Sequence, residues 1–127
     1  MKNIQTNVTK LFELALKKYN YQDNLAAKKL FIQVLKLDPN FIPALNNLGI
    51  VYKRLQNIKG AISCFSKILK INSNYINSYY NLGIIYQEIK DFNKAKNNYK
   101  KTIKINPKFT KAFFNLGIIY QENGEFK

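Results

Sequence analysis

Histidine and tryptophan are absent from this 127-residue chain, and cysteine occurs once, at Cys64. Without histidine, the side chain that most often serves as an acid–base group near neutral pH is missing. Acidic residues are few and scattered. Only Glu88 and Glu122 fall at equivalent positions on the predicted groove side, near helix ends where carboxylates are ordinarily solvated. No glycine-rich phosphate loop and no cluster of ligands at metal-binding spacing occurs. The residues thus argue against an enzyme, and they call for no cofactor and no metal. One cysteine excludes an intramolecular disulfide, and Cys64 reads as a small buried hydrophobe. Apolar runs are also short, with none near the ~20 residues that a membrane-spanning helix needs. Met1 to Lys10 is polar, with Ile4 and Val8 isolated, so the start has no secretory character. A cytoplasmic, reducing location is the expectation, without membrane contact.

What is abundant is lysine. The chain has 21 Lys+Arg against 7 Asp+Glu, a formal net charge of +14. Such an excess attracts nucleic acid, anionic membranes or acidic proteins. However, Arg54 is the only arginine, and arginine is the side chain suited to bidentate phosphate and base contacts. Lysine, asparagine and isoleucine all have AT-rich codons, so nucleotide bias accounts for much of the excess. The lysines concentrate on predicted second helices (Lys67 and Lys70, then Lys94, Lys96, Lys100, Lys101 and Lys104), where a solvated face is the simpler reading. The tyrosines do not interleave with them as a base-stacking platform requires. Nucleic acid is therefore the competing partner class and a protein or peptide the favoured one.

The sequence Asn-Leu-Gly-Ile recurs at 47–50, 81–84 and 115–118, always 34 residues apart. A fixed period of that length marks a chain built by stacking one short unit. Aligned copies run 8–41, 42–75 and 76–109, with a partial copy at 110–127, all within a single array from 1 to 127. Each full copy reads as two helices. In the third, Tyr79, Leu82, Gly83, Ile85 and Tyr86 keep helical spacing, Lys90-Asp91 breaks it, and Phe92, Ala95, Tyr99 and Ile103 resume it. Asp91 is a candidate N-cap. Pro39 and Pro107 stop the second helices of copies one and three, Ser73 stands at that place in copy two, and Pro43 suits a first helical turn. Gly49, Gly83 and Gly117 are expected to let a neighbouring helix approach, with Ala27, Ala61 and Ala95 opposite them. Phe31, Phe65 and Tyr99 then serve as large fillers, and Tyr52, Tyr86 and Tyr120 as wedges against the following unit.

This pattern resembles the tetratricopeptide repeat, W-x2-L-G-x2-Y followed by small, aromatic and proline positions. Copy three carries it best: Tyr79 in the Trp place, then Leu82, Gly83, Tyr86, Ala95, Tyr99 and Pro107. Copy two keeps Leu48, Gly49, Tyr52, Ala61 and Phe65. Copy one departs most, with Ala15 for the glycine and Lys18 for the tyrosine. The Asn-Leu-Gly form, with Pro-Asn-Phe at 39–41 and Pro-Lys-Phe at 107–109, is similar to the arrays that precede O-linked N-acetylglucosamine transferases. The resemblance implies an all-α, right-handed helical solenoid of about three and a half helix-turn-helix repeats. It also implies a non-catalytic module that binds an extended peptide in a groove lined by first helices. A further alternative is the N-terminal scaffold segment of a larger enzyme such as a glycosyltransferase.

Transferred to this chain, the groove comprises Asn47, Asn81 and Asn115, the isoleucines Ile50, Ile84 and Ile118, the aromatics Tyr80 and Phe114, and the cations Lys53, Arg54 and Lys111. Phe12, Leu16, Asn46, Gln87 and Gln121 fall on the same side. An asparagine amide donates and accepts together, so one per repeat can pair with both N–H and C=O of a peptide backbone. The cations favour an acidic ligand. The carboxylate clamp of chaperone cochaperones is a poor match in either frame. Phe12 and Leu16, or Asn46 and Ile50, hold the first pair of positions, and Asn77 and Asn81, or Asn115, stand where Lys or Arg is needed. The fourth copy's helix, 110–123, presents Phe113, Leu116 and Tyr120 before the sequence reaches Gly124. Self-association through that end is the corresponding expectation, as is continuation into a longer protein.

Overall fold

The computed structural model describes residues 2–122 and is all α-helical there. The predicted turn of the partial fourth copy at Gly124 to Lys127 lies outside the described residues. Seven helices follow one another: α1 (Lys2–Asn20), α2 (Asn24–Leu37), α3 (Ile42–Arg54), α4 (Ile58–Ile71), α5 (Ile76–Glu88), α6 (Phe92–Ile105) and α7 (Thr110–Glu122). They form two compact units that divide between Ile71 and Asn72, near the boundary of the second and third repeats. In the first unit α1 packs on α2, α2 on α3 and α3 on α4. In the second, α5 packs on α6 and α6 on α7.

Local chemistry sets the hairpin turns. Each second helix begins at a side-chain cap of the same spacing. The Asp23 carboxylate accepts from the Ala26 N–H at 3.3 Å, the Asn57 carbonyl from the Gly60 N–H at 2.9 Å, and the Asp91 carboxylate from the Lys94 N–H at 3.3 Å. One otherwise orphaned donor is thus satisfied per helix. The residue before each cap is left-handed: Gln22 (φ 60°), Gln56 (φ 63°) and Lys90 (φ 65°). A non-glycine side chain there costs about 1–2 kcal/mol. We expect Lys90→Gly to stabilise the second unit by about 0.5–1 kcal/mol, read as a higher urea midpoint at unchanged slope. No gain would mean that the Lys90 side chain compensates its strain. Both predicted proline stops hold, since α2 ends at Leu37 and α6 at Ile105, and Pro43 does sit in the first turn of α3.

The first unit's core gathers Val8, Ala15, Ala27, Phe31, Val34, Ala44, Leu48, Val51 and Cys64. The second unit's core holds Ala95, Tyr99, Ala112 and Ile119, with Tyr80, Ile84, Tyr86 and Phe109 packed against it. Cys64 is buried as expected. Loss of hydration pushes its thiol up to about 11 against a partial opposing pull from Lys67, so it stays protonated and unreactive at neutral pH.

At Gly49 and Gly83 the nearest atoms to an added side chain belong to second-helix aromatic rings. A Cβ built on Gly49 would lie 2.7 Å from the Phe65 ring, and one on Gly83 would lie 2.6 Å from the Tyr99 ring. The absent side chain therefore admits an aromatic ring of the partner helix, while Ala61 and Ala95 are themselves fully buried. Tyr52 likewise packs inside its own hairpin, against Gly60, where an added Cβ would meet its ring at 2.9 Å.

Candidate functional site on the first-helix faces

In the second unit the register of α5 and α7 places the same residue types on corresponding faces. Tyr80, Asn81 and Ile84 on α5 are half-buried, as are Asn115 and Ile118 on α7, while Phe114 is 70% exposed. Tyr80 is fixed by its neighbours: its ring centroid lies 4.8 Å from that of Phe109 and 6.1 Å from that of Tyr99. Gly83 leaves room for the Tyr99 ring, and that ring's hydroxyl reaches the same face.

A polar network results, and the residue types alone did not reveal it. The Tyr99 hydroxyl donates to Gln87 Oε1 at 2.6 Å. Asn115 Nδ2 donates to the hydroxyls of both Tyr99 and Tyr80, each at 3.4 Å. Burial raises the Tyr99 phenol well above its ordinary range, partly offset by the Asn115 contact, so it remains a neutral donor at any physiological pH. The repeat register gives Tyr99 only a filler's role, because Phe31 and Phe65 hold its place in the other copies. A tyrosine at a phenylalanine position was the available signal. The two 3.4 Å contacts are long for N–H···O bonds, so they orient the Asn115 amide without saturating it. Its Oδ1 stays available to a donor.

In the first unit, Asn47 and Ile50 are half-buried on α3. Phe12 and Leu16 are half-buried and pack against the core. The Phe12 ring lies 5.1 Å from Phe41, near edge-on, and 6.0 Å from Phe31. Arg54 is also engaged within the unit. Its guanidinium lies 4.2 Å from the Tyr19 ring centroid, and Nη1 donates to the Tyr19 carbonyl at 3.3 Å. This bracing leaves Arg54 its charge but limits its reach. Lys53 is half-buried and Lys111 is exposed at the start of α7. Asn46 Oδ1 is buried without a hydrogen-bond partner among the described residues. No group of metal-ligating side chains and no helix long and apolar enough to cross a membrane occurs among the described residues.

Helical hairpins at a 34-residue period, with leucine, glycine and tyrosine on the first helix and alanine and an aromatic on the second, match a described family. A tetratricopeptide repeat profile covers residues 41–108, and a second of the same description covers 98–127. The chain belongs to the tetratricopeptide repeat family. Solved structures of similar fold include MamA, at 27% identity and TM-score 0.88 over 93% of this chain and 69% of that one. The first tetratricopeptide domain of Spaghetti (RPAP3), bound to an HSP90 peptide of sequence SRMEEVD, matches at 20% identity and TM-score 0.87 over 94% of both chains. A mutant of Thermobaculum terrenum O-GlcNAc transferase matches at 18% identity and TM-score 0.79, covering 92% of this chain but 22% of that one. No curated protein matches this sequence significantly.

Proposed function

We propose that this tetratricopeptide repeat chain is a non-catalytic binding module that holds an extended peptide segment of another protein against its first-helix faces. The observation that supports this most is the second unit's face, where two half-exposed asparagine amides at one register position are flanked by Ile84, Ile118, Tyr80 and the exposed Phe114. The amides pair with peptide N–H and C=O, and the isoleucines and aromatics seat side chains. Asn47 and Ile50 offer the same pair in the first unit. The Spaghetti domain shows that a chain of this fold accommodates a peptide. Here the ligand is selected less by carboxylate capture, because Asn77, Asn81 and Asn115 occupy the places where a clamp needs cations. Lys53, Arg54 and Lys111 supply a milder preference for acidic residues.

A pull-down from nuclease-treated lysate, with the captured segment then synthesised and titrated calorimetrically, tests the proposal. Each backbone hydrogen bond to an amide contributes about 0.5–1.5 kcal/mol. The triple variant Asn47→Ala/Asn81→Ala/Asn115→Ala should therefore bind at least about tenfold more weakly with unchanged helix content. Equal affinity would remove the asparagines from the site. Loss of all partners on nuclease treatment alone would favour nucleic acid on the lysine-bearing second helices.

A further inference from the structure

The second unit is electrically lopsided along its helix axes. Its described carboxylates, Glu88, Asp91 and Glu122, all lie at one end, where α5 and α7 finish and α6 begins. The opposite end, where α5 and α7 begin and α6 finishes, carries Lys101, Lys104, Lys108 and Lys111 and no acidic residue. A depression of about 540 Å³ opens there, lined by Ser73, Asn74, Tyr79, Lys101, Lys104 and Ile105. Its wall is ordered by two contacts. The Tyr79 hydroxyl donates to the Ser73 carbonyl at 2.8 Å, and the Lys101 ammonium lies 5.3 Å from the centroid of the Tyr79 ring. No carboxylate among the described residues pairs with Lys101 or Lys104, whereas Lys94, at the other end of α6, has Asp91 at 3.9 Å.

The first unit has the matching lysines but not the other groups. Lys67, Lys70 and Ile71 stand one period before Lys101, Lys104 and Ile105. Leu45 stands for Tyr79 and Pro39 for Ser73. Leu45 is buried and has no hydroxyl. The combination of lysine pair, phenol and polar turn arises only where copy two closes with Asn-Ser-Asn instead of a proline turn.

We infer that the Tyr79–Lys101–Lys104 depression is a binding site for a phosphate group. Two lysine ammoniums are compact point charges with rotatable donors, which suit a tetrahedral oxyanion, and there is no arginine fork to match a planar carboxylate. The uncapped start of α5 adds positive potential, but the end of α6 opposes it at the same place. The lysines therefore decide the sign. Asn74 and Ser73 supply neutral hydrogen-bonding groups, and the Tyr79 ring and Ile105 leave an apolar wall for whatever carries the phosphate. This site is separate from the asparagine face and does not depend on the peptide proposal.

The test is a 1H–15N titration of the whole chain with inorganic phosphate at constant ionic strength. A second arm uses a phosphoserine peptide alongside its serine and glutamate forms. Saturating shifts confined to Ser73–Tyr79 and Lys101–Ile105, weakened about tenfold in Lys101→Ala/Lys104→Ala, are the expected result. They should persist in Asn81→Ala/Asn115→Ala, which separates this site from the peptide face. Tighter binding of the phosphopeptide than of phosphate would make the source a modified protein, and equal binding a free phosphate compound. Equal loss in Lys67→Ala/Lys70→Ala, equal shifts with chloride, or equal binding of the glutamate peptide would overturn the inference.

Discussion

Tyr99→Ala is expected to destabilise the second unit by about 3–5 kcal/mol, the range for removing a large aromatic side chain from a packed interior. Tyr99 is fully buried, and its ring fills the space left by Gly83, so truncation leaves a cavity bordered by a residue with no side chain to relax into it. The hydroxyl is a separable contribution. Tyr99→Phe keeps the ring, as Phe31 and Phe65 do in the other copies, but deletes the 2.6 Å bond to Gln87 and one of the two contacts to Asn115. Gln87 is half-buried and can turn to water, so that loss should stay near 0.5–1.5 kcal/mol. Urea unfolding of both variants measures the two quantities. Hydrogen exchange localises them, because repeat arrays open unit by unit and the change belongs in α5 and α6. A Tyr99→Phe cost as large as that of Tyr99→Ala would mean that the polar network, not ring packing, holds this hairpin together.

Tyr99→Phe also bears on recognition. With the hydroxyl gone, Asn115 keeps only its contact to Tyr80, and its amide orientation is less constrained. Tyr99 is a positioning residue in this sense. It does not sit on the open face, yet it helps determine how the face presents a hydrogen-bonding edge. The buried second-helix aromatic and the half-exposed first-helix amide are thereby coupled through one donor group.

Much of this architecture was legible in the residues because repetition multiplies weak signals. One Leu-Gly-x-x-Tyr match means little, but three in register set the helix order and the turns. Asp91 was recognisable as a cap, and Pro39 and Pro107 as stops, because these depend only on near neighbours in sequence. Contacts set by the approach of two helices were not legible. Periodicity places Gly83 on the packed side of α5 but does not say which residue of α6 meets it, since that depends on crossing angle and axial offset. The alanine looked complementary in size, and the ring is what fills the gap. The same limit applies to Arg54. As the only arginine beside predicted groove positions it read as a ligand contact, and its engagement with Tyr19 depends on the packing of α1 near α3. The left-handed residues Gln22, Gln56 and Lys90 gave no signal because none is the glycine that such a conformation favours.

The ring contact at Gly83 yields a contrast within one chain. Gly83→Ala and Gly117→Ala occupy the same repeat position in mid-helix, so both gain roughly 1 kcal/mol of helix propensity. At Gly83 the new methyl would lie 2.6 Å from the ring of Tyr99, which is buried and tethered to Gln87. Relieving that overlap costs about 1–3 kcal/mol, and Gly83→Ala should be destabilising on balance. At Gly117 the methyl meets no described atom within 4 Å, so Gly117→Ala should be stabilising by up to about 1 kcal/mol. Ala15, already present at this position in copy one and fully buried opposite the helix that bears Phe31, shows that a hairpin can be spaced to accept the methyl. This limits the Gly83 penalty to a few kcal/mol rather than loss of the fold. Urea midpoints for the two variants, measured against the parent chain, should move in opposite directions. Movement in the same direction would mean that the α5–α6 spacing adjusts freely and that glycine at 83 is not required by the aromatic ring.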